Sequence, residues 1–233
     1  MKQKVLVAFD DVDEIDEIFA LASKLSPWVG GFKISAQIDR YGVSVIPQLK
    51  EYGLVMSDVK ICDIPTQAAR RVELHANAGA DFITVHASGG KKMLQACTHA
   101  APTQIIVVTV LSSLLAHDTH KIFGGSIRNR VRYFAHLAFK SHAAGIVCAP
   151  HDLRYLDEDT FASDFVRITP NIRPLWSHVR SDQNDARAMT PQDAFKNGAQ
   201  YVVIGRPITS ALDQVEAARR VLHDIEGALE STK

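Results

Sequence analysis

Short apolar runs recur along the chain, and segments in which apolar residues follow a helical spacing separate them. Several runs are apolar throughout rather than alternating, which is typical of strands buried on both faces of a parallel sheet. The pattern predicts eight strands, namely Val5–Phe9, Gly31–Ser35, Leu54–Lys60, Phe82–His86, Ile105–Val110, Gly145–Ala149, Val166–Thr169 and Tyr201–Ile204.

The segments between these runs predict amphipathic helices. Apolar residues recur three and four positions apart from Ile15 to Leu25, from Val131 to Ala138 and from Val215 to Ile225. That spacing places them on one helix face, which we expect to pack on the sheet. A further helix is predicted to begin at Thr190, a residue type that caps helices, because Pro191 follows in the favoured first-turn position.

The alternation of strands and helices predicts an α/β fold, in which eight units close into a parallel (β/α)8 TIM barrel with outer helices. A length of 233 residues fits a single domain of this kind, so we expect one barrel over residues 1–233. Hydrophobic residues make up 46% and charged residues 22%, which excludes disordered, collagen-like and coiled-coil classes.

Charge and cysteine usage narrow the choice of partners. Lys plus Arg and Asp plus Glu both number 26, so nothing global favours nucleic acid or an anionic membrane, and any anion binding must be local. Cys62, Cys97 and Cys148 form no C-x-x-C pair, which suits a reducing compartment and argues against structural zinc. The apolar run Val5–Phe9 is too short for a signal peptide or a membrane span, so we expect a cytoplasmic protein.

The third predicted strand carries the most informative chemistry, in the sequence Asp58-Val-Lys60-Ile-Cys-Asp63-Ile-Pro65. Alternate residues of a strand share a face, so Asp58 and Lys60 point the same way, and Asp63 follows in the loop. Lys33 lies at the same level of the neighbouring predicted strand. The four residues together predict an array of two cations and two anions at the carboxyl ends of the strands, where such barrels build their active sites.

This array has a chemical consequence. The carboxylates favour the ammonium form of Lys60, which makes it a proton donor, and Asp58 would repel a carboxylate on a bound substrate. The interleaved lysines would compete with a divalent cation, so we expect no metal. The alternative interpretation is that Asp58 and Lys60 form a plain ion pair at a strand end.

The ends of the seventh and eighth strands predict a phosphate site. Arg173 and Arg206 follow these strands, where barrels commonly bind phosphate, and Gly205 allows the main chain to approach a ligand closely. Either arginine could instead pair with a loop carboxylate. The long loop over residues 171–189 is expected to be functional because of its length. For His86 we favour a hydrogen-bonded structural role.

Together these motifs are recognisable. The chain resembles the orotidine 5′-monophosphate decarboxylases, in particular the bacterial ones, over nearly its whole length. Besides the D-x-K-x-x-D-I-P string, the resemblance rests on Ala8-Phe-Asp10, Phe32-Lys-Ile34, Val85-His-Ala-Ser-Gly-Gly90, Val108-Thr-Val-Leu111, Gly145-Ile-Val-Cys148, Thr169-Pro170, Ile172-Arg173-Pro174, Asp182-Gln183, Met189-Thr-Pro191 and Val203-Ile-Gly-Arg-Pro-Ile-Thr209.

The resemblance implies decarboxylation of a pyrimidine nucleotide without metal or organic cofactor, and it assigns roles to residues. Asp10 and Lys33 would hold the ribose, Asp58 would face the orotate carboxylate, and Lys60 would protonate C6. Asp63 would reach the partner's substrate across a homodimer interface. The remaining expected contacts are Ser113 at the pyrimidine edge, Arg173, Gln183, Gly205 and Arg206 at the phosphate, and Thr66 with Gln67 near the interface.

Three positions depart from the family pattern. Gln67 occupies the place of a usual threonine, Asn171 that of a usual glycine in T-P-G-I-R, and Ser35 that of a usual glycine after the lysine. Asn tolerates positive φ better than most residues, so Asn171 is compatible with the expected turn. The departures leave open a paralogue that binds a nucleotide phosphate but turns it over poorly.

A second alternative comes from the same superfamily. Magnesium-dependent phosphosugar decarboxylases and synthases share the D-x-K-x-x-D string, but they resemble one another in having glutamate where this chain has Lys33. A lysine there would repel the metal, so this alternative ranks second.

Overall fold

A computed structural model describes residues 2–156, 165–177 and 187–230, without the side chains of residues 228–230. Eight parallel strands pair in chain order and close between the first and the last. They are β1 (Val5–Ala8), β2 (Gly31–Ile34), β3 (Leu54–Ile61), β4 (Phe82–His86), β5 (Gln104–Val108), β6 (Gly145–Val147), β7 (Val166–Thr169) and β8 (Tyr201–Ile204). The predicted TIM-barrel architecture is confirmed.

Helices surround this barrel. They are α1 (Ile15–Leu25), α2 (Ala36–Tyr41), α3 (Val45–Lys50), α4 (Pro65–Asn77), α5 (Gly90–Ala100), α6 (Ala116–Phe123), α7 (Ile127–Lys140), α8 (Pro191–Lys196), α9 (Arg206–Thr209) and α10 (Gln214–Glu230). Short 3-10 helices cover Lys2–Lys4, Ala87–Gly89 and Pro150–Tyr155. Over the described ranges, no helix is both long and apolar enough to cross a membrane.

The three predicted helical stripes fall on α1, α7 and α10. In α1 the stripe buries Ile18, Leu21, Ala22 and Leu25 against the barrel. The predicted start of α8 is also confirmed, because the Thr190 side chain accepts a hydrogen bond from the backbone N–H of Asp193. This cap satisfies one of the donors that the first helical turn leaves unpaired.

Apolar side chains pack in two layers. A small cluster fills the barrel interior, and a larger one lies between the strands and the outer helices; the interior residues are Leu6, Ala8, Met56, Phe82, Ile106, Ile168 and Val203. Burying a large apolar side chain completely contributes roughly 1.5–3 kcal/mol, so these layers supply the main driving force for closing the barrel. The interior cluster also forms a floor for the polar residues at the strand ends.

The pairing of β3 with β4 is irregular near its carboxyl end. Ser57 pairs with Ile83, but the next pair joins Ile61 to Val85, so β3 advances by four residues while β4 advances by two. Within this irregular stretch Lys60 has a φ of 45°, in the left-handed region that side chains other than glycine rarely adopt. The strand therefore leaves regular geometry where the sequence places its charged residues.

Candidate active site

A cavity of about 430 Å³ opens at the carboxyl ends of the strands. The end of β3 and the loops after β1, β2, β5, β7 and β8 contribute to its wall, as expected of barrels that build active sites at this end. The charged side chains that line it are those of Asp10, Asp11, Lys33, Asp58, Lys60, Arg173 and Arg206. Most of the sequence-predicted site thus converges in one place.

Four of these residues form a chain of alternating charge. Lys33 Nζ lies 2.5 Å from Asp10 Oδ1 and 3.2 Å from Asp58 Oδ2, and Lys60 Nζ lies 2.8 Å from the same Asp58 oxygen. The Lys33 and Asp58 side chains are nearly buried, whereas 40% of the Lys60 side chain is exposed toward the cavity mouth. We call Asp10, Lys33, Asp58 and Lys60 the charged array.

The charged array fixes the ionisation of its buried members. Burial opposes the charged form of Asp58, but the ammonium groups of Lys33 and Lys60 outweigh it and lower the pKa of the carboxyl. For Lys33, burial is likewise outweighed by Asp58 and Asp10, which raise its pKa. Asp58 is therefore a carboxylate at neutral pH and Lys33 an ammonium, held together in a site shielded from water.

Two hydroxyl groups hold Asp58 in place. The fully buried Thr84 donates a hydrogen bond to Asp58 Oδ1 at 2.9 Å and accepts one from the backbone N–H of Lys60 at 2.8 Å. Ser35 Oγ donates to the main-chain oxygen of Asp58 at 2.9 Å. Ser35, one of the three departures from the family pattern, thus supports the main chain of the array.

The opposite wall of the cavity carries the two arginines predicted to bind phosphate. Arg173 follows β7 and Arg206 begins α9, directly after Gly205. Asn171, between β7 and Arg173, is buried and has a φ of 62°, in the left-handed region that favours glycine. The backbone N–H of Arg173 donates to the Met189 carbonyl at 2.8 Å, which ties the two ends of the long loop together.

A buried ion pair supports the third wall. Arg187 pairs with Asp152, and its guanidinium also donates to the carbonyl oxygens of Leu111, Ser112 and Leu114. Burial raises the pKa of Asp152 to about 6, although the charge of Arg187 opposes the shift. Because Leu111 and Ser112 line the cavity, this pair holds the β5–α6 loop against the site.

Other expected site residues lie outside the cavity in this chain. Asp63, Thr66, Gln67 and Ser113 are exposed, and Ser112 rather than Ser113 lines the wall. Among the described residues, Asp63 forms no ion pair with the lysines, so the expected array is corrected: its second anion within the chain is Asp10. The reason is that the backbone turns outward after β3 and Asp63 Oδ1 instead accepts from the Ile64 N–H. Gln183 lies outside the described residues.

His86 and Cys62 have other surroundings. His86 is half-buried, and its Nδ1 accepts a hydrogen bond from the Ser88 N–H, in keeping with the structural role favoured above. Burial, followed by the charge of Lys60, lowers the pKa of His86, so its imidazole is neutral. Cys62 is exposed, with its Sγ 3.5 Å from Ser88 Oγ.

Sequence reasoning missed the supporting residues. Thr84 is a polar residue in the apolar strand β4, which lies next to the strand that carries Asp58. These two facts could have indicated a contact between Thr84 and Asp58. Arg187 lies in the long loop over residues 171–189, but nothing in the sequence pairs it with Asp152, which is 35 residues away.

A closed parallel barrel with a charged cavity at the carboxyl ends of its strands defines the class of (β/α)8-barrel enzymes. Within this class the chain belongs to the orotidine 5′-phosphate decarboxylase / HUMPS family, whose model matches residues 3–221.

Individual relatives agree with the family. An orotidine 5′-phosphate decarboxylase of Moorella thermoacetica is 37% identical over 239 residues, which cover 97% of this chain and 93% of that protein. One from Heliobacterium modesticaldum is 34% identical, covering 98% of both chains. The crystal structure of orotidine 5′-phosphate decarboxylase from Lactobacillus acidophilus superimposes with a TM-score of 0.78 at 26% identity, over 95% of this chain and 98% of that one.

Proposed function

We propose that this chain converts orotidine 5′-monophosphate to uridine 5′-monophosphate and carbon dioxide, a step of pyrimidine biosynthesis, without metal or organic cofactor. The observation that carries the proposal is the charged array, which shares one cavity with Arg173 and Arg206. The names of the curated relatives support the same reaction.

Substrate binding follows from the two ends of the cavity. Arg173 and Arg206, with Gln183 and the main chain at Gly205, would hold the phosphate, since guanidinium groups match phosphate oxygens in charge and geometry. Asp10 and Lys33 would hold the ribose hydroxyls. The loop that carries Leu111, Ser112 and Ser113 would meet the pyrimidine edge.

The charged array performs the chemistry. The substrate carboxylate lies beside ionised Asp58, and the repulsion between them is relieved when the C6–carboxylate bond breaks and carbon dioxide leaves. The electron pair of that bond stays on C6 and takes a proton from the Lys60 ammonium. Lys60 then regains a proton from solvent, so no oxidant or reductant is needed.

The magnesium-dependent alternative is disfavoured by Lys33. Its ammonium lies 3.2 Å from Asp58 Oδ2, and that of Lys60 lies 2.8 Å from the same oxygen. Two cations therefore occupy the ligand space that a divalent metal would need, and a metal there would meet strong repulsion.

The proposal is tested by the loss of orotidylate absorbance, measured with and without a chelator. We expect turnover that survives the chelator in the wild type and turnover that is abolished in Lys60→Ala with the fold intact. Lys24→Ala, an exposed lysine of α1, is the matched control and should leave the rate unchanged. Near-normal turnover in Lys60→Ala would overturn the mechanism.

Arg206 tests the phosphate end separately. Arg206→Ala should raise KM much more than it lowers kcat, because it removes binding energy far from the reacting carbon. Arg40→Ala, whose guanidinium pairs with Glu14 on the surface, serves as the control. An unchanged KM in Arg206→Ala would assign the phosphate to other groups.

We further propose a homodimer in which Asp63 completes the partner's site. Asp63 is exposed three residues beyond Lys60, and the neighbouring Ile64 is 63% exposed and Leu74 on α4 is 53% exposed. Large exposed apolar side chains beside a site favour burial by a second chain. Thr66 and Gln67, in the first turn of α4, would lie at the same interface.

The cytoplasmic location stays a prediction.

Mixed dimers test this arrangement. Lys60→Ala and Asp63→Ala chains with different affinity tags would be co-expressed, and the mixed dimer purified. If Asp63 acts across the interface, one of the two sites is intact and about half of wild-type activity returns, as two-fold symmetry requires. If Asp63 acts within its own chain, every site lacks one residue and activity stays absent.

A substitution at Gln67 distinguishes a competent enzyme from a paralogue with an impaired site. Gln67→Thr should change kcat/KM only slightly if the present site is competent. A gain of orders of magnitude would show that the longer side chain impairs the contact.

A further inference from the structure

One buried hydroxyl group contacts both residues to which the proposed function assigns the reaction. Thr84 lies on β4, fully buried, and its Oγ1 is 2.9 Å from Asp58 Oδ1 and 2.8 Å from the backbone nitrogen of Lys60. The hydroxyl donates its proton to the carboxylate and accepts from the amide. It therefore joins the side chain of one reacting residue to the main chain of the other.

The contact to Lys60 supports an unfavourable backbone conformation. A φ of 45° in a residue with a side chain persists only where the surroundings hold it. Lys60 lies where β3 and β4 lose their regular register, between the Ser57–Ile83 and Ile61–Val85 pairs. The Thr84 hydroxyl thus replaces a ladder partner for the Lys60 N–H, and it holds the turn that aims the ammonium at Asp58.

The contact to Asp58 fixes the carboxylate plane. Oδ2 accepts from Lys60 and pairs with Lys33, whereas Oδ1 accepts from Thr84. With both oxygens held from different directions, the side chain cannot rotate about its terminal bond without losing a contact to an ionised group. Such contacts are stronger than neutral hydrogen bonds.

We propose that Thr84 is a positioning residue, whose single hydroxyl orients both the carboxylate of Asp58 and the ammonium of Lys60 for the reaction. The inference rests on the proposed function for the identity of that reaction. It assigns Thr84 no contact with substrate.

The test compares Thr84→Val, which keeps the shape and loses the hydroxyl, with Thr84→Ser, which keeps the hydroxyl. In Thr84→Val we expect kcat to fall by about tenfold to a hundredfold, the usual effect of one hydrogen bond to a charged group. KM should change by less than about threefold, because the phosphate contacts lie elsewhere. Thr84→Ser should stay within about threefold of the wild-type kcat.

The pH profile of kcat supplies a readout that a purely structural role would not move. A hydrogen bond donated to a carboxylate lowers its pKa, so its loss raises the pKa of Asp58. The acid limb of the profile should therefore shift to higher pH in Thr84→Val and remain in place in Thr84→Ser.

Thr119→Val is the matched control. Thr119, on α6, is also fully buried, but its hydroxyl donates to the carbonyl of Leu115, which precedes α6 and is not part of the charged array. It should lower thermal stability without moving kcat or the acid limb. If Thr84→Val does not fold, Thr84→Ala takes its place with the same expectations, and binding of uridine 5′-monophosphate reports whether the cavity is intact.

Equal kcat values and acid limbs for wild type, Thr84→Val and Thr84→Ser would overturn the positioning role. Failure of the proposed function is a different result, because the wild-type protein itself would then leave orotidylate unchanged.

Discussion

Asn171 occupies a backbone turn whose left-handed conformation favours glycine. Its φ of 62° lies in the left-handed region, where Asn is tolerated because its short polar side chain can bond locally. The residue is buried in the wall of the cavity that also carries Arg173 and Arg206. The departure from glycine therefore preserves the course of the main chain toward Arg173.

Substitution at this residue separates backbone strain from side-chain contacts. Asn171→Ala and Asn171→Gly both remove the amide, but alanine also pays the left-handed penalty. Asn171→Ala should be less stable than Asn171→Gly by about 1–2 kcal/mol in urea unfolding. Equal stabilities would mean that the turn relaxes when the amide is removed.

For single residues, the sequence spacing was sufficient to predict some of the contacts in the candidate site. The D-x-K spacing predicted that the Asp58 and Lys60 side chains lie together, and they are 2.8 Å apart, although β3 is irregular at this point. The left-handed φ of Lys60 could not be predicted, because it depends on the register between β3 and β4 and on a hydroxyl of the neighbouring strand. The outward turn at Asp63 had no sequence signal for the same reason.

Among the elements, the Asp152–Arg187 pair connects three loops that are distant in sequence. Asp152 lies in the 3-10 helix after β6, Arg187 precedes α8, and the carbonyls that Arg187 binds belong to the loop before α6. All of these elements lose a contact when the Arg187 guanidinium is removed. The cavity wall at Leu111 and Ser112 depends on this connection.

Arg187→Met should destabilise the protein by about 3–5 kcal/mol near neutral pH, because it leaves Asp152 buried without its cation. The pKa of Asp152 is about 6 in the fold and 3.8 ordinarily, so the folded protein binds this proton more readily and Asp152 lowers stability as pH rises between these values. Removing the cation raises the folded pKa further. The penalty should therefore be smaller at about pH 5, where the carboxyl is mostly protonated, than at about pH 8.

Urea unfolding at both pH values checks this expectation. Arg40→Met is the control, because its pair with Glu14 is exposed and should contribute less than about 1 kcal/mol at either pH. A penalty for Arg187→Met that does not depend on pH would contradict a protonated Asp152. Asp152→Asn in the Arg187→Met background should recover part of the loss.

The strands could be predicted because they are short, nearly continuous apolar runs, and the long helices because their apolar residues repeat at a helical period. All eight strands were found, with ends that differ by one or two residues where the chain leaves the ladder, as at β6. The six-residue helices α2 and α3 are too short to show a helical period. They are fixed by packing, with Ile38, Ile46 and Leu49 buried.

On the scale of the whole molecule, two glycines allow neighbouring strands to close the barrel. A Cβ on Gly31, the first residue of β2, would lie 2.0 Å from the Leu54 carbonyl oxygen of β3. A Cβ on Gly145, the first residue of β6, would lie 2.1 Å from that of Val166 on β7. In both cases the obstacle is main chain, which cannot rotate away.

Gly31→Ala and Gly145→Ala should each destabilise the barrel by about 3 kcal/mol or more, since the strands must separate to admit a methyl group. Gly227→Ala is the matched control: among the described residues, no atom beyond its chain neighbours and the nearby backbone of α10 lies within 4 Å of its Cβ position. It should instead stabilise by about 0.5–1 kcal/mol through helix propensity. Thermal unfolding measures all three, and a tolerated Gly31→Ala would show that the barrel can expand locally.

The irregular end of β3 carries two residues of the charged array, whereas the regular parts of the strands form the barrel. The β2–β3 ladder is regular up to Ser57, and β4 and β5 pair without interruption. Asp58 and Lys60, two of the four residues of the charged array, lie between Ser57 and Ile61, where β3 and β4 lose their register. We expect substitutions in that stretch to change the side chains at the cavity while the ladder pairs on either side of it remain. A change in this short segment can therefore alter the chemistry at the cavity, while the barrel fold stays the same.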